Sequence, residues 1–323
     1  MRAGSHRRPG SQPQASSRIA VVGSCNLDIV TYADRIPAPG ETVIGRRLLQ
    51  VPGGKGANQA VAAARAGAEV SFIGAVGDDG FGKLLATALQ REGVITAGLR
   101  RVPLPTGTAH ITIDSAGENA IVAVVGANAA VALSERDRAV ITSTQALLLQ
   151  LEIPLEIVVT AAALAHEAGA RVILTPAPGP RLPAELSRLV DLLIPNESEA
   201  LALTGASSGD QAAGLLLAEV PAVAVTLGAR GCIYRERGGP SLLLPAFPVA
   251  AVDTTAAGDT FAGALAVALA EGRSVEAALR WAMAAAALSV QREGAIPSIP
   301  YRQEIDGFAS AHAQARVPLM GLP

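Results

Sequence analysis

The sequence predicts an α/β protein in three layers, with helices on both faces of a mostly parallel central sheet. Short runs rich in Val, Ile and Leu alternate with Ala-rich helical patterns along most of the 323 residues. Gly, Pro and Asn bound these runs, as is typical of βαβ units. Half of the residues are hydrophobic, so the chain can build a substantial core.

The central strands are expected in continuous apolar runs, which are typical of parallel strands buried on both faces. In chain order these runs are "RIAVVGS", "EVSFIGAVG", "ALLLQLE", "ARVILTPAP", "LVDLLIPN" and "VPAVAVTLG".

Residues 26–51 and 105–125 have a different pattern, because apolar and polar side chains alternate there. The second segment predicts a hairpin about "DSAGEN". We expect these strands to leave the main sheet and form a small β-sheet lid. Such a layer is marginal alone, so it should cover a ligand, another subunit, or both.

The chain is expected to hold one domain, residues 18–310, between two tails. Residues 1–17 are basic and rich in Pro and Ser, which predicts a disordered N-terminal tail. Residues 311–323 form the predicted C-terminal tail. The N-terminal segment lacks the apolar core of a secretory signal, so a cytoplasmic location is expected.

Composition argues against several classes of partner. The net charge of -2 gives no basic field for nucleic acid, and the apolar runs are too short for a membrane span. Cys25 and Cys232 are far apart, and the histidines have no metal-ligand spacing. A small-molecule partner is expected, with no nucleic acid and no membrane.

The stretch "VDTTAAGDTFAGAL" predicts the start of a helix that can hold an anion. Apolar residues recur at one-turn spacing (Phe261, Leu265 and Leu269). The first turn of a helix has unpaired N–H groups and a partial positive charge, and small residues let an anion approach them. Asp259 would add a proton acceptor, although an Asp here can also be an ordinary cap.

The stretch "PGGKGANQAVAAARAG" combines a Gly-rich turn with Lys55 and Asn58 at a helix start. This combination suits a polyhydroxylated or phosphorylated ligand, but such turns are also common in α/β proteins. P-loop, dinucleotide-binding and protein-kinase signatures are missing. A phosphate-handling enzyme would therefore need another arrangement.

Several motifs together carry a resemblance to a known family: "VVGSCNLD", "PGETV", "GGKGANQA", "GDDGFG", "PNESEA", "VTLGARG" and "DTTAAGDTF". In this order and approximate spacing they resemble the ribokinase branch of the PfkB sugar-kinase family, from about Arg18 to "EIDGF". The resemblance implies a ribokinase-like fold with a β-sheet lid. It also implies ATP-dependent phosphorylation of D-ribose at the 5-hydroxyl, with Mg²⁺ and K⁺ as metal cofactors.

The resemblance implies that Asp259 is the catalytic base and that Ala256, Ala257 and Gly258 form the anion hole. An Asp at the positive end of a helix should have a depressed pKa and stay ionised. A weak base suffices because phosphoryl transfer depends chiefly on positioning and charge stabilisation.

The implied sugar-binding residues are Asn26, Asp28, Gly54, Lys55, Asn58, Glu152 and Asp259. The carboxylate of Asp28 suits two adjacent hydroxyls, because it accepts a hydrogen bond from each. Without the family pattern, Asp28 could equally be a turn residue after a strand.

The implied nucleotide-binding residues are Asn196, Thr226, Leu227, Gly228, Ala229, Arg230, Gly231, Gly258 and Met283. Met283 stands where the family often has a His near the adenine. Asn196 and Glu199 lie three apart and could orient Mg²⁺ and its waters, or could simply be caps.

The resemblance also implies a potassium site. Its expected ligands are Asp253, Thr255, Ser289, Arg292, Gly294 and Ser298, with Arg292 contributing only its carbonyl oxygen. The alternative is that Asp253 caps a turn and that the later loop is plain surface.

Other functions stay open at this point. The chain could phosphorylate deoxyribose, fructose, 2-keto-3-deoxygluconate or a nucleoside, or could be a sugar-binding regulator without catalysis. The low aromatic content of 3% disfavours a nucleoside, which needs an aromatic or apolar clamp. Exposed strand edges in the lid further predict a homodimer formed through the lid.

Overall fold

The computed structural model describes residues 16–177, 179 and 181–312. Most of both predicted tails lies outside these residues. Ser16 Oγ donates to the carbonyl oxygen of Gly67 at 3.1 Å, and Ser17 is buried. The last helix continues to His312, slightly beyond the predicted end of the domain.

Strands and helices alternate along the chain as the apolar periodicity predicts. The strands are β1 (Arg18–Val22), β2 (Asn26–Tyr32), β3 (Arg47–Gly53), β4 (Glu69–Gly77), β5 (Ile95–Val102), β6 (Gly107–Ile113), β7 (Asn119–Val124), β8 (Ala146–Leu149), β9 (Arg171–Leu174), β10 (Leu192–Leu193), β11 (Ala222–Thr226), β12 (Cys232–Glu236) and β13 (Ser241–Leu244). The helices are α1 (Lys55–Arg65), α2 (Gly80–Arg91), α3 (Glu135–Thr142), α4 (Leu155–Glu167), α5 (Ala184–Ser187), α6 (Glu197–Thr204), α7 (Gly209–Leu216), α8 (Ala257–Ala270), α9 (Val275–Ser289) and α10 (Arg302–His312).

The larger sheet has the strand order β13-β12-β11-β10-β9-β8-β1-β4-β5. The strands from β11 to β5 in this order are parallel, whereas β12 and β13 add an antiparallel edge. Each predicted apolar run contributes one of the parallel strands. The predicted fold class is therefore confirmed.

Apolar clusters cover both faces of this sheet. Ile19 and Val21 of β1 belong to the cluster packed by α1, α2, α8, α9 and α10. Ala20 and Val22, which alternate with them, belong to the cluster packed by α3 to α7. The burial of both faces explains why the parallel strands are continuously apolar. No helix within the described ranges is long and apolar enough to cross a membrane.

The smaller sheet has the order β3-β2-β6-β7 and forms the predicted lid. β2 pairs with β3 antiparallel and with β6 parallel, and β6 and β7 form the predicted hairpin. Its edge strand β7 is exposed along its whole length, including Ile121, Val122 and Val124. The alternating segments leave the main sheet as their pattern predicts.

Candidate active site

Polar residues converge at the carboxyl edge of the parallel strands, where open α/β sheets usually bind ligands. Ser24 follows β1, Gln150 and Glu152 follow β8, and Thr175 follows β9. Because these strands are parallel neighbours, side chains distant in sequence meet at one edge. The helices α1 and α8 begin at the same edge.

Close packing of α1 against α8 brings their first turns together. A Cβ atom at Gly263 of α8 would lie 2.6 Å from Cβ of Ala62 in α1. A Cβ atom at Gly56 would likewise lie 2.7 Å from the backbone of Ser24, so the start of α1 packs directly on the turn after β1. Only glycine permits such close approaches.

This packing brings Asp259 of α8 against the polar side chains of α1. Asn58 Nδ2 donates to Asp259 Oδ2 at 2.9 Å, and Gln59 Nε2 donates to Asp259 Oδ1 at 3.0 Å. Only 8% of Asp259 is exposed. It is not the cap of α8, because Ala256 occupies the N-cap position and makes no side-chain hydrogen bond there. The capping alternative is therefore wrong.

The expected depression of the Asp259 pKa is also wrong. Burial raises the pKa of the Asp259 carboxyl, and the nearby ammonium of Lys55 with the hydrogen bonds from Asn58 and Gln59 offsets this only in part. Desolvation of a buried carboxylate thus outweighs the favourable helix end. The consequence is a stronger base than the sequence suggested.

The first turn of α8 is open at Gly258, as the predicted anion site requires. Gly258 is exposed, and a Cβ atom there would meet nothing within 4 Å. Ala256 has φ of 60°, the left-handed conformation, which it alone adopts among the described residues other than glycine. This conformation costs about 1–2 kcal/mol for a residue with a Cβ. Ala256 is the N-cap of α8, and Asp259 lies in the first turn that follows it.

Asp28 and Glu152 form the acidic part of the same cluster. Burial, together with the charges of Glu152 and Asp259, raises the pKa of Asp28 from 3.8 to about 7. Burial also raises the pKa of Glu152, although hydrogen bonding from Ser24 and the charge of Lys55 oppose this. These carboxylates are suited to accept hydrogen bonds from a ligand with several hydroxyls.

Lys55 supplies the positive charge of the cluster. Burial disfavours its ammonium form, but the carboxylates of Asp259, Glu152 and Glu199 more than offset burial and raise the pKa of Lys55. Its backbone N–H also donates to Glu152 Oε2 at 3.3 Å. Lys55 therefore stays charged near the carboxylates of Asp259, Glu152 and Glu199.

Asn26 lies beside this cluster, at the start of the lid. Its Oδ1 accepts a hydrogen bond from Asn128 Nδ2 at 2.7 Å. Asn128 also accepts one from the backbone N–H of Cys25 at 2.9 Å. Gly54 approaches the same backbone, since a Cβ atom there would lie 2.7 Å from the Asn26 nitrogen. The predicted sugar residues are thus brought together at the base of the lid.

Most of the predicted nucleotide residues lie along the next strands at the same edge, whereas Gly258 and Met283 belong to α8 and α9. Asn196 forms an isolated parallel bridge with Thr226, which ends β11. The segment Gly228–Arg230 follows as an exposed 3₁₀ turn, preceded by the half-buried Leu227 and followed by Gly231. The Arg230 side chain is paired with Glu197 of α6. Met283 is a buried residue of α9 in the apolar cluster, so its contact with a base stays a prediction.

Asn196 and Glu199 form a capping box at the start of α6. Asn196 Oδ1 accepts from the Glu199 N–H at 2.8 Å, and Glu199 Oε2 accepts from the Asn196 N–H at 2.8 Å. The capping alternative is correct as far as these bonds go. The Glu199 carboxylate still raises the pKa of Lys55, so its charge reaches the cluster. A carboxylate in this position fits Mg²⁺ held partly through water.

The segments predicted to hold K⁺ are joined by Asp253. Its Oδ1 accepts from the Thr255 N–H at 2.8 Å, and its Oδ2 accepts from the Gly294 N–H at 2.8 Å. Ser289 and Ser298 donate to the carbonyl oxygens of Ala286 and Ala295, and the Arg292 side chain pairs with Glu304. Hydroxyl and carbonyl oxygens of this kind fit a hard cation. The carboxylate of Asp253 is already used to connect the segments.

Several residues of the site were not predicted from the sequence. Gln59 contacts Asp259 directly, Gln150 contacts Gln59, Ser24 contacts Glu152, and Asn128 contacts Asn26. Gln59 lies inside the quoted "GGKGANQA" motif and Gln150 precedes "LE" in "LQLE", so both were adjacent to selected residues. Nothing in the sequence indicated their hydrogen-bond partners, because these partners lie far away in the chain.

Comparison with known proteins gives a consistent result. A model of the "pfkB family carbohydrate kinase" matches residues 16–302. A ribokinase of Haemophilus influenzae is 43% identical, over 88% of this chain and 96% of the relative. A ribokinase of Bacillus subtilis is 43% identical, over 90% of this chain and 99% of the relative. The structure of Arabidopsis thaliana ribokinase complexed with ribose and ATP has a TM-score of 0.86 and 39% identity, and it covers 91% of this chain and 99% of that one.

Proposed function

Because the chain belongs to the pfkB family of carbohydrate kinases, we propose that it phosphorylates D-ribose at the 5-hydroxyl with ATP, forming D-ribose 5-phosphate and ADP. The predicted family and enzyme class are confirmed by the relatives reported above. The relatives and the plant complex support ribose and ATP as the substrates.

One observation carries the chemical part of the proposal. Asp259 is a buried carboxylate fixed by two amide donors, and it lies in the open first turn of α8. A proton acceptor next to backbone N–H groups is the arrangement that transfer of a phosphoryl group to a hydroxyl needs.

In the proposed reaction, the oxygen of the sugar 5-hydroxyl bonds to the γ-phosphorus of ATP while Asp259 accepts the proton of that hydroxyl. The bond from that phosphorus to the β,γ-bridging oxygen breaks, and ADP leaves. The N–H groups at the start of α8, with Gly258 giving access, stabilise the charge on the transferring group. Lys55 adds a positive charge nearby.

The cluster of Asp28 and Glu152 supports a sugar with several free hydroxyls as the acceptor. A sugar analogue that lacks one hydroxyl leaves a buried carboxylate without its hydrogen-bond donor. The analogue therefore binds much more weakly and is rejected. Asn26, Gly54, Lys55 and Asn58 complete the proposed contacts. Deoxyribose is the most demanding comparison, since it lacks one such hydroxyl.

The nucleotide is proposed to lie along Asn196, Thr226 and the segment 227–231. When Mg²⁺ is bound, it neutralises charge on the phosphates, and Glu199 with Asn196 would hold it through water. K⁺ would be held by the oxygens around Asp253 and would order the loop before α8.

We further propose a homodimer that forms through the lid. The expected cytoplasmic location stays a prediction.

The test is an assay of ADP formation with ATP, Mg²⁺, K⁺ and a panel of sugars. D-ribose should give the highest kcat/KM, and the product should be identified as the 5-phosphate by NMR. Deoxyribose, fructose, 2-keto-3-deoxygluconate and a nucleoside are the competitors. A higher kcat/KM with any of them would contradict ribose as the substrate, and binding of ribose without turnover would indicate a non-catalytic regulator.

A further inference from the structure

Gln59 of α1 is completely buried and has a defined hydrogen-bonding role at the candidate base. Its Nε2 donates to Asp259 Oδ1 at 3.0 Å and to Thr175 Oγ1 at 3.2 Å. Its Oε1 accepts from Gln150 Nε2 at 2.6 Å. All the polar atoms of this side chain are therefore engaged, although it is 0% exposed.

These bonds allow only one orientation of the Gln59 amide. A flipped amide would direct Oε1 at the Asp259 carboxylate and Nε2 at the donating nitrogen of Gln150. Both contacts would be repulsive, since a carboxylate only accepts and an amide nitrogen only donates. Asp259 therefore fixes which end of the Gln59 amide faces it, and Gln150 Nε2 satisfies the other end.

The arrangement also favours the ionised form of Asp259. Asn58 donates to one carboxylate oxygen and Gln59 to the other, so each oxygen of the ionised carboxylate accepts a hydrogen bond. Hydrogen bonds to the charged form lower a pKa, and they act here against the effect of burial. The carboxylate thereby stays available as an acceptor and keeps one rotamer.

We infer that Gln59 is a positioning residue for the catalytic base, and that Gln150 acts through Gln59. Gln150 donates to Gln59 and Gln59 donates to Asp259, so a chain of hydrogen bonds runs from the end of β8 through α1 to α8. This role rests on the proposed function, in which Asp259 accepts the proton of the sugar hydroxyl. Gln59 itself touches neither substrate nor reacting atoms in this scheme.

The direct test replaces Gln59 with Met, which keeps the side-chain length but removes the donors. Gln59→Met should lower kcat about 10-fold or more, the usual scale for losing a hydrogen bond to a charged group, while KM for ATP stays near its original value. The acidic limb of the kcat profile should move to higher pH, because Asp259 loses a donor that favours its ionised form.

A matched control is Gln90→Met. Gln90 also donates its Nε2 to a threonine, Thr96 Oγ1 at 2.9 Å, but this pair is exposed on the surface. Its kinetics and pH profile should be unchanged. A purely structural role for Gln59 would instead lower the melting temperature and leave the pH profile of the remaining activity in place, which would overturn the inference.

A double-mutant cycle tests the part assigned to Gln150. Gln150→Met alone should lower kcat less than Gln59→Met does, and it should have no further effect in the Gln59→Met background. Additive losses would show that Gln150 acts independently. If Gln59→Met does not fold, Gln150→Met and its pH profile carry the test.

A last measurement separates this inference from the proposed function. Carboxyl ¹³C NMR of labelled aspartate gives the pKa of Asp259 without turnover, with the signal assigned by its loss in Asp259→Asn. The pKa should be higher in Gln59→Met than in the wild type, and an unchanged pKa would contradict the positioning role. Absence of ribose phosphorylation by the wild type would instead contradict the proposed function alone.

Discussion

Asp259 combines a raised pKa with a fixed side-chain orientation, which an exposed aspartate would not have. It is buried, so its pKa is raised, yet it keeps two amide donors that favour its charged form. A carboxylate of this kind is both basic and fixed in direction, which suits abstraction of a proton from a weakly acidic hydroxyl.

We predict that Asp259→Asn lowers kcat by about a hundredfold or more, the scale for losing a general base. Binding of ATP should be nearly unaffected, because Asn keeps the size of the side chain and leaves the backbone N–H groups at the start of α8 in place. The control is Asp210→Asn, which makes the same change in the first turn of another helix, α7. A near-normal kcat for Asp259→Asn would show that this carboxylate is not the base.

Asp28 gives a prediction about pH. Its pKa of about 7 means that its carboxylate gains a proton as the pH falls through neutrality. Since the ionised form accepts the sugar hydroxyls, the ribose Kd should rise about tenfold between pH 8 and pH 6. Calorimetry without ATP measures this directly. Asp28→Asn should bind ribose more weakly, with little dependence on pH in this range.

The same shift affects stability in the opposite direction. The folded protein holds the proton of Asp28 up to about pH 7, whereas the unfolded chain releases it near 3.8. The contribution of this group to stability therefore declines as the pH rises between these values. Without sugar, Asp28→Asn should raise the melting temperature at pH 8. A lower melting temperature there would contradict the burial argument.

The secondary-structure elements were predictable because their signals are local. Continuous apolar runs identified the buried parallel strands, and alternation identified β2, β6 and β7 of the lid. The motif at Asp259 marked the start of α8 within a few residues. The partners of Gln59 were not predictable, since they come from β8, β9 and α8, and only tertiary packing brings these elements to one edge. The raised pKa of Asp259 was missed for the same reason, because burial is a property of the packed helices.

The loop before α8 and the loop after α9 give a prediction about potassium. Asp253 joins them through Thr255 and Gly294, so order in one loop is coupled to order in the other. In an enzyme dialysed into choline buffer, added K⁺ should raise kcat severalfold at constant ionic strength, with Na⁺ as the control. Asp253→Ala should weaken this response. Rates that do not respond to K⁺ would contradict the predicted site.

The lid presents the exposed edge strand β7 and several apolar side chains to solvent. It extends from the main sheet at Asn26, beside the candidate site, and ends in the exposed edge strand β7. The sequence predicted the lid from its pattern, but it did not indicate which apolar residues would stay exposed. Leu48, Ile121, Val122 and Val124 are 60%, 56%, 66% and 47% exposed, respectively.

An exposed edge strand with apolar side chains is unusual for a monomer, since it invites pairing with another chain. A two-fold contact between lids would cover the same surface on both copies and close both sites from outside.

Light scattering should therefore give about twice the chain mass of 32.6 kDa. Ile121→Glu on β7 should shift the protein to the monomer mass and raise KM for ribose, because an unsupported lid covers the sugar less well. The control is Leu215→Glu on α7, where the leucine is similarly exposed at 49%, and this variant should keep the wild-type mass. If the wild type is a monomer over the working range of concentrations, the dimer is refuted, whereas a dimer that persists in Ile121→Glu would indicate an interface away from β7.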